Sequence, residues 1–540
     1  MKRKAFKRLL SLAMASTMLV GCLTGCGEKP ASNNESTETK VEESVATSEV
    51  AEVPAEPTKL TMWASFTSTE LKNMGEIEFL QDMEAAANVE IEYFHPVDNA
   101  TEQFNLKIAS GNWEDMVMYD WTTKYAGGAT QALEDGVIID IAPYLEEYAP
   151  NYKAYLDAHP NVYKQIVNEN GQIYGFPCIG DADVSVTAGY CVRKDWLDDL
   201  NMNVPETIAD WEAMLTAFKT QKGATKPLTL NESTLLKTNF LAGAWGIATD
   251  YYVDNGVVKY GYAEPAAKDF VATMADWYQK GLIDNEVFGC NDKISRANVL
   301  NNESGAIYGF VASCIGTVMD SAKESNPELE LVGVQFPVVN EGDVAKYMRR
   351  TAEVRSAGCV CITYKCEDVE AAIRYLDQFY SEEGIIAKNF GKEGLSYEMV
   401  NGEPVYTDLI MNNPNGLNLT DALQRYTQAP SPMIGIIDPR YYEQYYVMEQ
   451  QKDAFVLWNE NSEAAADFIY PPASTTTAEA EELAAIDTPL KTYVYEELAK
   501  FITGARSMDT WDDFVKQMEA MNLSRAIEIK QAAYDRYMAK

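Results

Sequence analysis

The chain has 540 residues, with 82 Asp and Glu against 44 Lys and Arg and a formal net charge of −38. That balance excludes nucleic acid and the anionic surface of a membrane as partners, since each requires a basic face. With 46% hydrophobic and 11% aromatic residues the chain reads as a well-packed globular protein, and its two histidines, His95 and His159, argue against a histidine-rich metal site.

The first predicted element is an export signal. Lys2, Arg3, Lys4, Lys7 and Arg8 precede an apolar run from Leu9 to Val20, too short to span a bilayer stably. Small residues then stand directly before a cysteine twice, in Leu19-Val-Gly-Cys22 and Leu23-Thr-Gly-Cys26, and both resemble the lipobox of bacterial lipoproteins. The resemblance implies a diacylglyceryl cysteine as the mature N-terminus, at Cys26 with Cys22 as the alternative, so residues 1–26 are the signal. Residues 27–58 are rich in Glu, Ser, Thr, Ala and Pro, without an aromatic residue; such a segment cannot bury enough surface to offset its ordering entropy and is expected to be a disordered tether. Fully extended, it would reach on the order of 100 Å.

Removing the five signal-peptide cations leaves 39 basic residues against 82 acidic ones. The remaining, roughly 480 residues exceed what a single core holds and predict two lobes. Seven cysteines beyond Cys26 are scattered among apolar neighbours and read mostly as small buried hydrophobes. No phosphate-binding glycine loop of the usual spacing occurs, and no cofactor is expected.

The fold is expected to begin with the strand Lys59–Trp63, followed by a helix from Glu70 to about Asn88 with Leu71, Met74, Ile77, Leu80 and Met83 on one face. A strand from Val89 to Phe94, a helix from Glu102 to Ser110 closed by Gly111, and a strand from Met116 to Trp121 come next. This alternation predicts a parallel, doubly wound sheet whose ligands lie beyond the carboxyl ends of its strands. Trp63, Phe66, Tyr119, Asp120 and Trp121 then share one rim. There an indole could stack on the C–H face of a sugar while the Asp120 carboxylate accepts hydroxyl hydrogen bonds. The two tryptophans equally suit the lobe core.

Gly171-Gln-Ile-Tyr-Gly-Phe-Pro177, an apolar strand over Thr187–Arg193, Lys194-Asp-Trp-Leu-Asp-Asp-Leu200 and Val204-Pro-Glu-Thr207 with Trp211 follow in order. Together with Phe240-Leu-Ala-Gly-Ala-Trp-Gly-Ile247 and the tail around Trp511 and Tyr537, they resemble the extracellular solute-binding proteins of ABC sugar importers, in particular the large LplA/LipO-type lipoprotein branch. The resemblance implies an α/β, two-lobed periplasmic-binding-protein-like fold with hinge-linked doubly wound sheets and a helical C-terminal extension. Lobe 1 would comprise residues 59–184 and 346–430 and lobe 2 residues 185–345, with residues 431–540 as helices buttressing one lobe.

The implied crossings near residues 180–186 and 344–357 bring Asp181, Asp183 and Arg355 to the cleft floor; the two aspartates also suit simple turn formation beside Gly180. Trp245 corresponds to a sugar-contacting aromatic in related binders or serves helix-end packing, and Ser313 offers a hydroxyl at a helix start. The tyrosines of Tyr441-Tyr-Glu-Gln-Tyr-Tyr446 read as packing or lobe surface, and no ligand chemistry is expected in the last hundred residues. The implied function is capture of an oligosaccharide by a monomer that is lipid-anchored on the outer face of a bacterial membrane and delivers it, uncleaved, to a permease and its cytosolic ATPase. The alternatives are a peptide or anionic saccharide, with Arg349, Arg350 and Arg355 as cations, or a glycoside hydrolase using paired carboxylates such as Asp181 and Asp183.

Overall fold

The computed structural model describes residues 56–540 apart from residues 67, 69, 98, 182–184, 239–240, 346–351, 430, 432, 461 and 467. The export signal, Cys22, Cys26, the tether up to residue 55, Asp183, Arg349 and Arg350 lie outside the described residues.

Lobe 1 is built on six strands: β1 (Thr58–Ala64), β2 (Val89–Phe94), β3 (Met116–Tyr119), β4 (Phe176–Ile179), β11 (Val354–Ile362) and β14 (Gly435–Ile436), in the order β14-β4-β11-β3-β1-β2. Lobe 2 carries β5 (Ala188–Arg193), β6 (Leu228–Thr229), β9 (Ala306–Phe310) and β10 (Leu331–Val334) in the order β10-β5-β9-β6. Two hairpins complete the strand set, β7–β8 over residues 251–260 and β12–β13 over residues 397–406.

The expected parallel β1, β2 and β3 are present. Both sheets are nonetheless mixed: β11 runs antiparallel to β3 and β4, and β5 runs antiparallel to β9 and β10. In lobe 1 the reason is connectivity, because β11 starts at the hinge beside the end of β4, with Val354 opposite Ile179.

Local signals decide where the helices start. The face Leu71, Met74, Ile77, Leu80 and Met83 is buried as expected, but the helix covers only Glu78–Ala87. Ahead of it Asn73 and Glu76 form a reciprocal capping box around the short turn Met74–Glu76, so the chain commits to helix later than the apolar spacing suggests. The helix Ala100–Ser110 is capped by the Asn99 side chain and closed by Gly111 at φ 65°.

In the tail, one 27-residue helix, Thr477–Thr503, runs through Pro489. A proline inside a helix costs about 3 kcal/mol. Here Leu483, Ile486, Leu490, Val494, Leu498, Phe501 and Ile502 are buried along the helix, and that burial outweighs one lost hydrogen bond. Their side chains, with Trp511, Phe514, Leu523 and Ile529 of the following helices, enter the same core as Trp211, Phe270 and Trp277. The tail is therefore part of the body of lobe 2.

Lobe 1 extends past residue 430, since β14 at residues 435–436 pairs parallel with β4. The chain accordingly crosses between lobes three times, not twice: between β4 and β5, between β10 and β11, and from β14 to the lobe-2 helix Glu449–Asn459. All seven cysteines of the described chain are free and six are buried, as their apolar settings predict. No helix among the described residues is long and apolar enough to cross a membrane.

Candidate functional site

The main cavity, about 1480 Å³, lies between the lobes and is walled by both of them, by the crossings and by the C-terminal region. It exceeds the ~300–1,000 Å³ of a site for one drug-sized molecule, leaving room for several sugar rings.

The lobe-1 wall starts where β3 ends. Asp120 caps the short helix Trp121–Lys124, its Oδ1 accepting from the Thr123 N–H at 3.0 Å and from Thr122 Oγ1 at 2.9 Å. The helix therefore turns Trp121 inward and Thr122 and Thr123 toward the cleft. Trp121 is 0% exposed, donates from Nε1 to the Val117 carbonyl at 3.2 Å and packs on Phe104, Trp113 and Tyr125. Trp63, 2% exposed, meets Phe104 and Tyr119 in the same core. At the end of β3 the two tryptophans therefore belong to the core, and the threonines after Asp120 face the cavity. Tyr119 Oη is hydrogen-bonded to Thr101 Oγ1 at 2.8 Å and Phe66 packs on His95; neither lines the cavity. Asp120 stands just behind the threonines it caps.

On the lobe-2 side, β9 ends at Phe310, which is 41% exposed, and residues Val311–Gly316 form a single π-helical turn before the helix Thr317–Ala322. Such turns are uncommon and recur at functional sites. This one presents Ala312 and Ser313 to the cavity. Trp245 does not line it; it ends a short 3₁₀ turn and packs on Phe270 at 5.5 Å, the helix-end role.

At the hinge, the Gly180 N–H donates to the Glu353 carbonyl at 2.8 Å, joining the first and second crossings. Gln165 holds the second crossing from lobe 1, donating from Nε2 to Glu353 Oε2 and accepting from the Val354 N–H. Arg355 lines the cavity together with Ser356 and Ala357, where the register between β11 and β4 is irregular. Its guanidinium crosses directly over Gly180: a Cβ on that glycine would stand 2.5 Å from Arg355 Nη2. Asp181 lies in the first crossing but not on the cavity wall.

The third crossing supplies what the sequence reading set aside. Tyr441, Tyr442, Tyr445 and Tyr446 all line the cavity. Their rings form one block, with Tyr441 and Tyr442 centroids 4.1 Å apart and Tyr442 stacked on Tyr446 at 5.5 Å and on Phe455 at 5.7 Å. Tyr441 packs into lobe 1 and Tyr446 into lobe 2, so this block is both hinge and wall. Burial raises the Tyr442 phenol pKa, while its contact with Tyr441 and the Arg355 charge work the other way.

The C-terminal region forms the remaining wall. Residues 470–475 run along it, and Ala480, Leu483, Ala484, Asp487 and Thr488 lie on one face of the long helix. Lys530 comes from the last helix, its ammonium over the rings of Tyr470 at 4.9 Å and Tyr251 at 5.4 Å. Of the sequence candidates, the structure therefore brings Ser313 and Arg355 together on the cavity wall. Among the described residues no cluster of three or more His, Cys, Asp or Glu is placed to hold a metal ion.

No protein-family model matches the chain. Over 504 residues it is 25% identical to the fructooligosaccharide ABC transporter substrate-binding protein FusA of Streptococcus pneumoniae serotype 4, covering 87% of this chain and 88% of that protein. The chain is a homologue of ABC transporter substrate-binding proteins. It is also 24% identical over 377 residues to lipoprotein LipO of Bacillus subtilis, covering 67% of this chain and 69% of that protein. Among solved structures, the calcium-free alginate-binding protein AlgQ2 superposes with a TM-score of 0.75 at 25% identity, over 89% of this chain and 99% of that one. FusA in complex with kestose gives 0.72 at 23% identity, over 89% and 100%. The two-lobed solute-binding fold expected from the sequence is thus the observed one.

Proposed function

We propose that this protein captures an oligosaccharide between its two lobes and hands it to an ABC permease with its cytosolic ATPase. It works from the outer face of a bacterial membrane, as a monomer held by a lipid on Cys26. The observation that carries this reading is the inter-lobe cavity walled by the Tyr441–Tyr446 block, because tyrosine rings stack on the apolar faces of sugars while their hydroxyls bond to sugar hydroxyls. Relatives whose names state a ligand support the class: fructooligosaccharide for FusA, alginate for AlgQ2, and polygalacturonan or rhamnogalacturonan for YtcQ of Bacillus subtilis.

The mechanism is hinge closure. Contacts that a ligand makes with both lobes exist only when they meet, so binding shifts the open–closed equilibrium and the permease reads the closed form. Three backbone crossings restrict the motion to bending about the hinge. No bond is broken in this scheme. Glycoside hydrolysis uses two carboxylates flanking the scissile bond, and among the described residues Asp487 is the one carboxylate on the cavity wall.

A thermal-shift screen of the purified protein against oligosaccharides and short peptides, with mass spectrometry of each hit, tests this reading. A stabilising saccharide recovered intact supports it. Stabilisation by peptides alone, or recovery of a cleaved saccharide, overturns it.

A further inference from the structure

The charges on the cavity wall depart from those of the chain. Acids outnumber bases 82 to 44 overall, yet among the described residues the charged side chains on the wall are Arg355, Lys530 and Asp487. The single acid is already engaged: Asp487 accepts from Tyr251 Oη at 2.6 Å and lies 3.7 Å from Lys491 Nζ. Neither cation has a carboxylate within ion-pairing distance among the described residues. Arg355 Nη1 is buried with no hydrogen-bond partner, and the Lys530 ammonium lies over the faces of Tyr251 and Tyr470, with Asp487 and Asp250 acting on it from beyond ion-pairing distance.

A buried guanidinium N–H without an acceptor is costly, and a closed cleft filled by a neutral sugar would leave the guanidinium without an anionic acceptor and the ammonium without a direct ion pair. A carboxylate answers both needs, accepting paired N–H bonds from an arginine and neutralising an ammonium. The setting holds these groups in place. Gly180 leaves room for the Arg355 guanidinium across the hinge, and two tyrosine rings flank Lys530.

We infer that the ligand is an acidic oligosaccharide, a uronic-acid oligomer in chemical class, with one carboxylate bound by Arg355 at the hinge and another by Lys530 on the C-terminal wall. This rests on the reading of the cleft as a saccharide site. In a molecule whose net charge repels anions, a locally cationic cleft is also what lets an acidic ligand enter.

Calorimetric titration with uronic-acid trimers to pentamers and with their carboxyl-reduced, neutral counterparts tests the assignment. Acidic oligomers are expected to bind at least tenfold more tightly than the reduced ones. Arg355→Gln and Lys530→Gln should each remove most of that difference, and added salt should weaken the acidic ligands selectively. Gly180→Ala, which keeps both charges but displaces the guanidinium, should act like Arg355→Gln. Equal binding of acidic and reduced oligomers, or an unchanged preference in Arg355→Gln, overturns the acidic assignment and leaves saccharide capture standing. Binding of neither set, with peptides bound instead, overturns both.

Discussion

Lys540 Nζ lies 3.2 Å from Glu169 Oε1, so the last residue of the chain, on the lobe-2 side, is joined to lobe 1. Around this pair Ser474 Oγ donates to Glu169 Oε1 at 2.8 Å, Arg536 Nε stands 3.5 Å from Oε2, and Lys540 also donates to the Val167 carbonyl at 3.1 Å. The carboxylate and both cations are partly sheltered, so this cluster favours the arrangement of the lobes in which it forms more than an open surface pair would. Glu169→Gln should enlarge the radius of gyration of the unliganded protein in small-angle scattering. It should also weaken ligand binding about fivefold, corresponding to roughly 1 kcal/mol. Unchanged scattering and affinity would remove this cluster from the closure equilibrium.

The two aromatic sets should respond oppositely to truncation. Trp121→Ala removes a fully buried indole from the lobe-1 core and should cost about 3–5 kcal/mol in denaturant unfolding. Tyr442→Ala, on the cavity wall, should weaken ligand at least tenfold, roughly 1.4 kcal/mol, with a smaller loss of stability. Normal ligand binding by Tyr442→Ala would contradict the stacking role.

These two sets also mark how far the sequence can be read. The two-lobed class and the parallel β1–β3 start were legible because strand alternation, helix spacing and ordered motifs are local signals. Which face of a short helix turns inward is not local. Asp120 sets the register in which Trp121 is buried and the threonines are exposed, and an indole beside an acid reads identically in either register. The tyrosines at 441–446 carried helical spacing and so read as packing, which they do; only the third crossing, invisible before β14 is paired with β4, puts that packing on the wall of the cleft. The same applies to Lys530, brought there by a helix 17 residues long at the end of the chain.

Lys388 is a fully buried side chain whose Nζ has no hydrogen-bond partner, and burial lowers its pKa below the usual 10.5, with Cys178 opposing. A base with a depressed folded-state pKa binds fewer protons folded than unfolded between that pKa and 10.5, so its destabilising effect is complete below the folded pKa and fades as pH rises. Lys388→Met should raise stability at neutral pH by about 1–3 kcal/mol, and the gain should shrink toward pH 10.5. Equal gain across the range, in urea unfolding at several pH values, would contradict this.

Membrane attachment should depend on one thiol. Metabolic labelling with a radioactive fatty acid is expected to mark the wild-type protein and to be lost in Cys26→Ser, with release of the protein into the medium. Loss of label in Cys22→Ser alone would move the anchor to Cys22.

The most direct test of the central claim is small-angle scattering of the purified protein with and without a saturating saccharide from the thermal-shift screen. Capture by hinge closure predicts a smaller radius of gyration with ligand, and the same saccharide recovered intact afterwards. A bound saccharide that leaves the scattering curve unchanged would contradict lobe closure as the mechanism of capture.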